Sequence, residues 1–522
     1  MKYQNPILPG FHPDPSVCRV GNDFYMVTST FEYFPGLPLY HSTDLVHWEQ
    51  LGHVLTRESQ LKLPKGAPNC IGIYAPTIRY HEGVFYCIVT NVGGNPGGNF
   101  FVTTTDIYGE WSEPVYLDFD GIDPSLFFDD DGKVYYTGTD EGIFICEIDK
   151  GTGRRLSEKH YESWNGTGAN NPEGPHLYKI DGWYYLMIAE GGTEMCHMEC
   201  IARSKTIYGP YEACPYNPVL TNRGTGLSIK AAGHADLVED ANGNWWAVCL
   251  GIRPVKYPFC HILGRETMLV PVKWENGWPV MGVDGHVPEE IEVEYLVGER
   301  TKDTGRYVPG SNFEDDFSGE RFRDSWNTIY NPVENLLTLT KEGLAMKCAK
   351  TGLSEDEEKS ILVRRQEHFD FTTTVELNFV PNEGEEAGLT IYMNPRHHYE
   401  VALTKLGGET CVMVRRQIGS LKAVEALLPY AQESIVLRLT GTKENYCFSY
   451  ATKQETEAKG AAAFAEIGGG ETWYLSTEAG GCFTGNYIGI YATGNGTESE
   501  NRAYVSGYLY EAGLNSNQVN HK

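Results

Sequence analysis

The chain has 522 residues, of which 41% are hydrophobic, and its 42 Lys and Arg against 70 Asp and Glu give a formal net charge of −28. This charge disfavours nucleic acids and anionic membranes as partners and suits a small neutral ligand. The length exceeds what one hydrophobic core supports, so two domains are predicted, and no segment reaches the roughly 20 apolar residues of a membrane span.

The cysteines and the N-terminus bear on the cellular location. The 13 Cys residues are odd in number and scattered, which predicts reduced thiols and a cytoplasmic protein. Residues 1–6 run directly into a patterned segment, without the apolar stretch of a signal peptide, which predicts the same location. Cys196, His197 and Cys200 could form part of a metal site, but a structural role is favoured because no second pair lies nearby.

One sequence unit recurs five times in the first 300 residues. Each copy opens with a short strand, continues through a turn containing Gly, and reaches two adjacent aromatic residues, which predicts a β-hairpin. The openings lie at Asp14, Ala75, Asp123, Gly174 and His234. The aromatic pairs are Phe24-Tyr25, Phe85-Tyr86, Tyr135-Tyr136, Tyr184-Tyr185 and Trp245-Trp246. Five such units predict a five-bladed β-propeller around a central channel. The alternative is a β-sandwich with accidental similarity, which five matches in order disfavour.

The pattern changes near Thr301. Short strand-like runs without the repeated unit follow, which predicts a β-sandwich. These runs are 361–363, 373–377, 389–392, 399–403 and 435–439. The predicted boundaries are therefore 1–298 for the propeller, 299–311 for a linker and 312–522 for the sandwich. We interpret the Glu-, Ala- and Gly-rich region 455–470 as an exposed connection or a short helix.

The repeat brings acidic residues together. In a propeller the first strand of each blade lines the channel, so the openings of the repeats meet at one rim. Asp14 and Asp123 occupy equivalent positions, and Glu173 directly precedes Gly174. A lone Asp before Pro is readily explained as a turn residue. Burying three acids together costs free energy through desolvation and repulsion, so their coincidence favours a function.

Paired carboxyl groups are the chemistry of glycosidic bond cleavage. One protonated acid gives its proton to the leaving oxygen, and one carboxylate activates a water on the opposite face of the sugar. An inverting pair is separated by about 6.5–9.5 Å, which leaves room for that water. A third carboxylate nearby is expected to raise the pKa of the acid by like-charge repulsion.

Six segments form a series along the first domain: 5–16 (NPILPGFHPDPS), 74–80 (YAPTIRY), 121–125 (GIDPS), 172–176 (PEGPH), 233–236 (GHAD) and 263–267 (LGRET). The series resembles glycoside hydrolase family 43, the β-xylosidases and α-L-arabinofuranosidases. The resemblance implies a five-bladed propeller and an inverting mechanism. It implies that Asp14 is the general base, that Asp123 orients the acid and modulates its pKa, and that Glu173 is the general acid.

The same resemblance suggests substrate contacts. Arg265 is expected to hydrogen-bond sugar hydroxyls, and Phe31 and Tyr74 to form walls of the sugar pocket, although many relatives have Trp in place of Tyr74. Phe127 is expected to add an apolar wall or to belong to the core. His234 resembles a channel histidine that in some members faces a calcium or other ion through water, the alternative being an internal histidine satisfied by its neighbours. No cofactor is expected to be required.

Residues 315–318 and 481–485 resemble the start and the end of a concanavalin-like β-sandwich appended to the longer xylosidases of the family. In those relatives a sandwich loop closes one side of the site, and Phe483 is the candidate for that closure here. A closed pocket admits only a chain end, which implies exo-action.

The predicted function is an exo-acting, inverting β-xylosidase that releases D-xylose from the non-reducing end of β-1,4-xylo-oligosaccharides. Its substrate is a small neutral oligosaccharide; a homo-oligomer is also considered. The alternative is an α-L-arabinofuranosidase that removes arabinose from arabinoxylan or arabinan oligosaccharides. A non-catalytic sugar-binding propeller would lack the acid or the base. A retaining enzyme would need carboxylates only about 5–5.5 Å apart, and a phosphorylase would need a basic cluster where the motifs offer only Arg265.

Overall fold

The computed structural model describes residues 1–66, 70–294, 297–298, 304–481 and 483–513, and its secondary structure is almost entirely β-strand, as predicted. The chain forms two compact units. The first comprises Met1–Pro64, Ile71–Arg253 and Arg265–Pro309; the second comprises Lys65–Cys70, Pro254–Gly264 and Gly310–Lys522. Among the described helices, none has the length and apolar character needed to cross a membrane.

The first unit contains strands β1 to β23. They are β1 Lys2–Gln4, β2 Ser16–Val20, β3 Asp23–Val27, β4 Tyr33–Phe34, β5 Gly36–Ser42, β6 Glu49–Leu55, β7 Gly72–Ile73, β8 Thr77–His81, β9 Val84–Val92, β10 Gly98–Thr104, β11 Val115–Tyr116, β12 Ile122–Phe128, β13 Val134–Thr139, β14 Ile143–Ile148, β15 Glu173–Ile180, β16 Trp183–Glu190, β17 Met198–Ser204, β18 Glu212–Ala213, β19 Lys230–Glu239, β20 Trp245–Ile252, β21 Glu266–Glu275, β22 Trp278–Met281 and β23 Glu290–Glu292.

The five repeated units form the hairpins that the sequence predicts. In each unit the opening strand pairs antiparallel with the strand that carries the aromatic pair: β2 with β3, β8 with β9, β12 with β13, β15 with β16, and β19 with β20. Further strands extend every hairpin into a separate sheet of three to five strands. The aromatic residues Phe24, Tyr185 and Trp246 are buried in one hydrophobic cluster, which packs neighbouring sheets together.

The opening strands of the five sheets contact one another in a closed ring. β2 contacts β8, β8 contacts β12, β12 contacts β15, β15 contacts β19, and β19 contacts β2. Each strand gives one polar side chain to a buried network, namely Ser16, Arg79, Ser125, His176 and Asp236. Arg79 donates two hydrogen bonds to Asp236, at 2.7 and 3.1 Å, and Ser16 Oγ donates a third at 2.7 Å. The network therefore ties the ring together.

Four of these strands are entered through a left-handed residue. The φ angle is 54° at Asp14, 52° at Asp123, 58° at Gly174 and 52° at His234. In the last three the strand register also shifts around this residue. Such a backbone costs on the order of 1–3 kcal/mol for a residue other than Gly and is concentrated at functional sites. The repeat seen in the sequence is thus also a repeat of backbone conformation.

The second unit contains β24 to β38. They are β24 Phe313–Asp315, β25 Thr328–Ile329, β26 Leu337–Thr340, β27 Gly343–Lys347, β28 Ser360–Arg365, β29 Phe371–Asn378, β30 Glu386–Asn394, β31 His397–Leu406, β32 Glu409–Ile418, β33 Leu421–Pro429, β34 Ser434–Gly441, β35 Asn445–Ala451, β36 Ala465–Glu471, β37 Tyr487–Thr493 and β38 Arg502–Ala512. Helices α1 Lys453–Lys459 and α2 Thr477–Gly480 and the 3-10 turns Gly460–Ala463 and Thr472–Leu475 complete it.

Most strands of the second unit form two antiparallel sheets. One has the order β26-β27-β38-β29-β34-β35-β36, with β24 also paired to β38, and the other has the order β28-β37-β30-β31-β32-β33. Tyr399 of one sheet and Tyr446 of the other lie with ring centroids 6.4 Å apart, so the sheets share a core. All five predicted strand runs are strands. Within 455–470, the short helix is confirmed as α1, whereas β36 was not predicted.

Two short segments assigned from the sequence to the first domain, 65–70 and 254–264, cluster with the second unit. The backbone N–H and Nδ1 of His261 lie 2.9 and 2.7 Å from the Glu478 carboxylate. Cys70 is disulfide-bonded, so the expectation of reduced thiols is wrong at this position, whereas eleven other described cysteines are free. The boundaries 1–298, 299–311 and 312–522 remain a prediction; residues 299–303 lie outside the described residues.

Candidate active site

Asp14 and Glu173 both approach one atom of His234. The Nδ1 atom of His234 lies 3.9 Å from Oδ1 of Asp14 and 3.8 Å from Oε1 of Glu173. The two carboxylate oxygens are therefore at most about 8 Å apart, which overlaps the spacing of roughly 6.5–9.5 Å that leaves room for a water. Two of the three acids predicted from the repeat thus face a common point, although 159 positions of sequence numbering separate Asp14 from Glu173.

Asp14 is held by two donors. Its side chain is only 4% exposed. Nη1 of Arg265 donates to Oδ1 at 2.8 Å, and the hydroxyl of Ser29 donates to Oδ2. Hydrogen bonds from a guanidinium are charge-assisted and fix the orientation of the acceptor. Asp14 is thereby presented as an oriented acceptor, which is what a general base requires.

Asp123 accepts a hydrogen bond from the backbone N–H of Gly174 at 3.1 Å. Burial raises the pKa of this carboxyl, and although the positive charge of His234 opposes the change, the negative charges of Glu173 and Asp14 add to it, giving a pKa of about 7. Asp123 therefore carries a proton over part of the neutral range. Its bond to Gly174 also places it directly beside the backbone that carries Glu173.

Glu173 differs from the prediction. Burial alone would raise its pKa, but the nearby imidazoles of His197 and His234 together lower it below the usual range. Burial would lower the pKa of His234, yet its close approach to Glu173 and the charges of Asp14 and Asp123 raise that pKa to about 10. The expected rise at Glu173 is thus wrong here, because the two histidines outweigh the effect of burial.

Aromatic side chains flank the arginine. The rings of Phe31 and Tyr74 have centroids 5.1 Å apart, and the guanidinium of Arg265 lies over the Phe31 ring at 5.6 Å. Nη1 of Arg265 is also 3.2 Å from the hydroxyl of Thr193. The structure therefore brings Arg265, Phe31 and Tyr74 together with Asp14, as the sequence predicts.

Phe127 is in a different place. It lies four residues after Asp123 on β12, which carries it on the order of 10 Å along the strand. There it lines a separate cavity of about 370 Å³ with Arg19 and Lys179, and its ring packs against Tyr184 at 6.2 Å. The prediction of a wall beside the acids is therefore corrected, and the alternative of a packing role is favoured.

Phe483 belongs to the second unit, with a side chain that is 45% exposed. Its backbone N–H donates to Sγ of Cys70 at 2.7 Å. Its neighbour Cys482, part of the segment that resembles the family, lies outside the described residues. The role of Phe483 in closing a pocket remains a prediction.

Three further residues touch the cluster and were not predicted as functional, namely Ser29, Thr193 and His197. His197 is fully buried, with Nε2 3.4 Å from Oε1 of Glu173. His197 therefore contacts the proposed acid, and a metal site at Cys196, His197 and Cys200 stays the disfavoured alternative. Ser29 and Thr193 lie outside the repeated openings, so the repeat gave no signal for them.

The resemblance to the family suggested an ion near His234. Among the described residues, no group of three or more His, Cys, Asp and Glu side chains has the arrangement of a metal site. The water-mediated calcium contact of His234 remains a prediction.

A ring of five sheets that brings two carboxylates and a third acid together has the groups that glycosidic bond cleavage needs, which indicates the class of glycoside hydrolases. Residues 3–279 match the family described as glycosyl hydrolases family 43, and residues 314–511 match the beta xylosidase C-terminal concanavalin A-like domain.

Similar proteins cover nearly the whole chain. A non-reducing end alpha-L-arabinofuranosidase from Bacteroides ovatus is 43% identical, over 96% of this chain and 93% of its own length. A beta-xylosidase from Bacillus subtilis is 33% identical, over 94% of this chain and 96% of its own. The crystal structure of a xylan beta-1,4-xylosidase from Bacillus halodurans has a TM-score of 0.88 at 32% identity, over 98% of this chain and 100% of that one.

The chain belongs to glycoside hydrolase family 43. It is an inverting glycoside hydrolase with a C-terminal concanavalin-like domain, and the resemblance stated from the sequence is confirmed.

Proposed function

We propose that this enzyme is an exo-acting β-D-xylosidase that releases D-xylose from the non-reducing end of β-1,4-xylo-oligosaccharides. The observation that carries the proposal is the approach of Asp14 and Glu173 to the same atom of His234. We also propose that the five sheets of the first unit are the blades of a five-bladed propeller, which their ring of opening strands supports.

In the proposed reaction, Asp14 takes a proton from water while the water oxygen bonds to the anomeric carbon. Glu173 gives a proton to the glycosidic oxygen as the bond between that oxygen and the anomeric carbon breaks. The electron pair of the broken bond stays on the leaving oxygen, so the products are the inverted sugar and a shortened oligosaccharide. Asp123 is proposed to orient Glu173 and to modulate its pKa. Arg265 is proposed to donate to sugar hydroxyls, with Phe31 and Tyr74 as apolar walls.

Two measurements test this mechanism. Asp14→Ala is expected to abolish turnover of aryl β-D-xylosides and xylobiose alike, and Glu173→Ala is expected to abolish turnover of the substrates whose leaving group must be protonated, such as xylobiose. The unfolding temperature of both variants is expected to stay near that of the wild type. Proton NMR of the first-formed sugar is expected to show the inverted anomer. Normal turnover by either variant would refute the residue roles.

The second candidate function is α-L-arabinofuranosidase, acting on arabinoxylan or arabinan oligosaccharides. The Bacteroides ovatus relative that is 43% identical carries that name. Rates measured side by side on aryl β-D-xyloside, aryl α-L-arabinofuranoside and xylobiose distinguish the two. A higher kcat/KM on the arabinofuranoside would reverse the order of the candidates.

We propose a small neutral oligosaccharide as the partner in solution, without nucleic acid or membrane, which the charge of −28 supports. We propose that no cofactor is required, and activity that survives EDTA would agree with this. Activity that is lost in EDTA and restored by calcium would instead support the ion expected near His234. A blind pocket closed by Phe483 is tested with Phe483→Ala, which is expected to raise KM for xylobiose.

A homo-oligomer is proposed through β33, at the edge of its sheet. Leu421, Val424 and Leu427 of this strand are 73%, 52% and 43% exposed, and a long apolar edge strand favours pairing with another strand. In a two-fold antiparallel pair, Lys422 of one copy can oppose Glu425 of the other. Light scattering should show a multimer that Leu427→Lys reduces to monomer.

A cytoplasmic location, supported by the free cysteines, is tested by cell fractionation.

A further inference from the structure

His197 is a buried residue whose imidazole approaches Glu173, the proposed acid. The imidazole is fully buried, its Nδ1 lies 3.2 Å from the carbonyl oxygen of Ala231, and its Nε2 lies 3.4 Å from Oε1 of Glu173. A Cβ atom at Gly233 would come within 2.9 Å of the ring, so glycine at this position leaves room for it. The backbone N–H of His197 donates to the carbonyl of Glu194 at 3.0 Å, which fixes the loop ahead of β17.

The contact with Ala231 determines where the imidazole carries its proton. A carbonyl oxygen only accepts hydrogen bonds, so the Nδ1 atom that faces it must be the protonated nitrogen. A neutral His197 then presents the lone pair of Nε2 to Glu173. A carboxylate facing a lone pair is repelled, whereas a proton placed between the two atoms would make this 3.4 Å contact favourable. That proton sits either on the Glu173 carboxyl or on Nε2.

We propose that His197 is a positioning residue that keeps one proton within the Glu173–His197 pair, so that the acid is loaded when an oligosaccharide binds. The proposal rests on the proposed function. In the reaction the proton leaves the pair for the glycosidic oxygen as the bond to the anomeric carbon breaks. The water that attacks this carbon gives its proton to Asp14. Asp14 then releases that proton to solvent, and the pair takes up another.

This arrangement accounts for the finding at Glu173. A carboxyl whose pKa is lowered by two histidines would make a poor acid by itself, but a shared proton remains available when one of those histidines holds it. Other titratable groups surround the pair. His234 on β19 lies 3.8 Å from the same oxygen of Glu173, and the negative charges of Asp123 on β12 and of Asp14 act on His234. Glu199 on β17 accepts from the N–H of Ala235 at 3.0 Å, and burial raises its pKa to about 8.

The test compares leaving groups. Xylobiose has a poor leaving group and needs the acid, whereas a 2,4-dinitrophenyl xyloside leaves without protonation. His197→Asn keeps a donor for Ala231 and removes Nε2. It is expected to lower kcat about 10- to 100-fold on xylobiose, part of the roughly 10²–10⁴-fold contribution of a general acid, and to change kcat on the dinitrophenyl substrate less than about threefold. The basic limb of kcat/KM on xylobiose is expected to move to lower pH.

Two controls make the result specific. His176→Gln alters another buried histidine, which lies on an opening strand and contacts Ser125 and Arg79, and should affect both substrates equally. Should His197→Asn fail to fold, His197→Gln serves as the second variant with the same expectation. Equal losses on both substrates, or an unmoved basic limb, would overturn the proposal. Glu173→Ala distinguishes a failure of the His197 proposal from a failure of the proposed function. If Glu173→Ala also lowers kcat equally on both substrates, the proposed role of Glu173 as the acid has failed as well.

Discussion

The five opening strands carry two neighbouring layers of buried charge that differ in how they are neutralised. In one layer, Asp236 accepts two hydrogen bonds from Arg79, one from Ser16 and one from Tyr178 at 2.7 Å. Burial alone would raise the pKa of Asp236, but the charge of Arg79 lowers it below the usual range. In the other layer, three carboxyl groups share one arginine and two histidines. The first layer is fixed as an ion pair, while the second can exchange protons.

The comparison shows how one scaffold separates stability from chemistry. An ion pair with every acceptor filled has one protonation state near neutral pH, so it serves only to hold strands together. Where carboxyl groups outnumber the donors that neutralise them, the protonated and ionised forms differ little in free energy near neutral pH. Such groups are suited to acid–base catalysis. Substitutions in the two layers should therefore have opposite consequences.

The largest effect is expected for Asp14→Asn. The amide cannot accept a proton from water, so kcat on xylobiose should fall by about 10²–10⁴-fold, the usual contribution of a general base. Because an acid is removed from a crowded cluster, the unfolding temperature should not fall. Steady-state kinetics and thermal melts of the same preparation measure both. An Asp14→Asn variant that is inactive because it is unfolded would contradict the expected separation of activity from stability.

Arg79→Met is expected to act on the other layer. It leaves Asp236 buried without its ion-pair partner, which typically costs about 3–5 kcal/mol. Urea denaturation should show this loss, while kcat of the folded fraction stays near the wild-type value. Arg154→Met, at an exposed position, is the matched control and should change stability little. Equal stability of the two variants would show that the Arg79 layer does not hold the ring.

The repeat made much of this architecture predictable. The five openings, their aromatic pairs and the convergence of Asp14 and Glu173 all follow from one recurring pattern, because equivalent positions in a repeat occupy equivalent places. The pattern could not locate His197, which lies in a loop outside it, and the pKa of Glu173 depends on that residue. Phe127 was misplaced because the residue alternation of a strand gives its face but not its distance along the strand.

Asp123→Asn is expected to change how the stability of the folded chain depends on pH. The pKa of Asp123 in the folded chain, about 7, exceeds the ordinary value of 3.8, so folding favours the protonated form. Stability from this group is full below about pH 4 and is lost as the pH rises towards 7. The asparagine variant should therefore exceed the wild type by on the order of a few kcal/mol at pH 8, because each pKa unit corresponds to about 1.4 kcal/mol, and should match it near pH 4.

Unfolding free energies at pH 4, 6 and 8 measure this effect. Asp129→Asn is the control of opposite sign. Asp129 lies 2.6 Å from Nζ of Lys179, and although burial opposes the change, the hydrogen bonds from Lys179 and Tyr184 lower its pKa. Removing that carboxylate should destabilise the chain at pH 8 and matter less at low pH. Parallel pH profiles for the two variants would contradict the assignment of a proton to Asp123.

The smallest effect is expected for Ser29→Ala, which removes one of the two donors to Asp14 and leaves Arg265 in place. A hydrogen bond to a charged group is worth about 1.5–3 kcal/mol, and a water that fills the space of the hydroxyl would recover part of it. We therefore expect kcat on xylobiose to fall about 10-fold, through a less well oriented base. Ser29→Thr keeps the hydroxyl and should restore most of the rate. Because the base acts for every leaving group, Ser29→Ala should slow xylobiose and dinitrophenyl xyloside alike. A loss confined to xylobiose would instead mean that Ser29 supports the acid Glu173. It would then contradict the assignment of Ser29 and Arg265 to Asp14 and of the two histidines to Glu173.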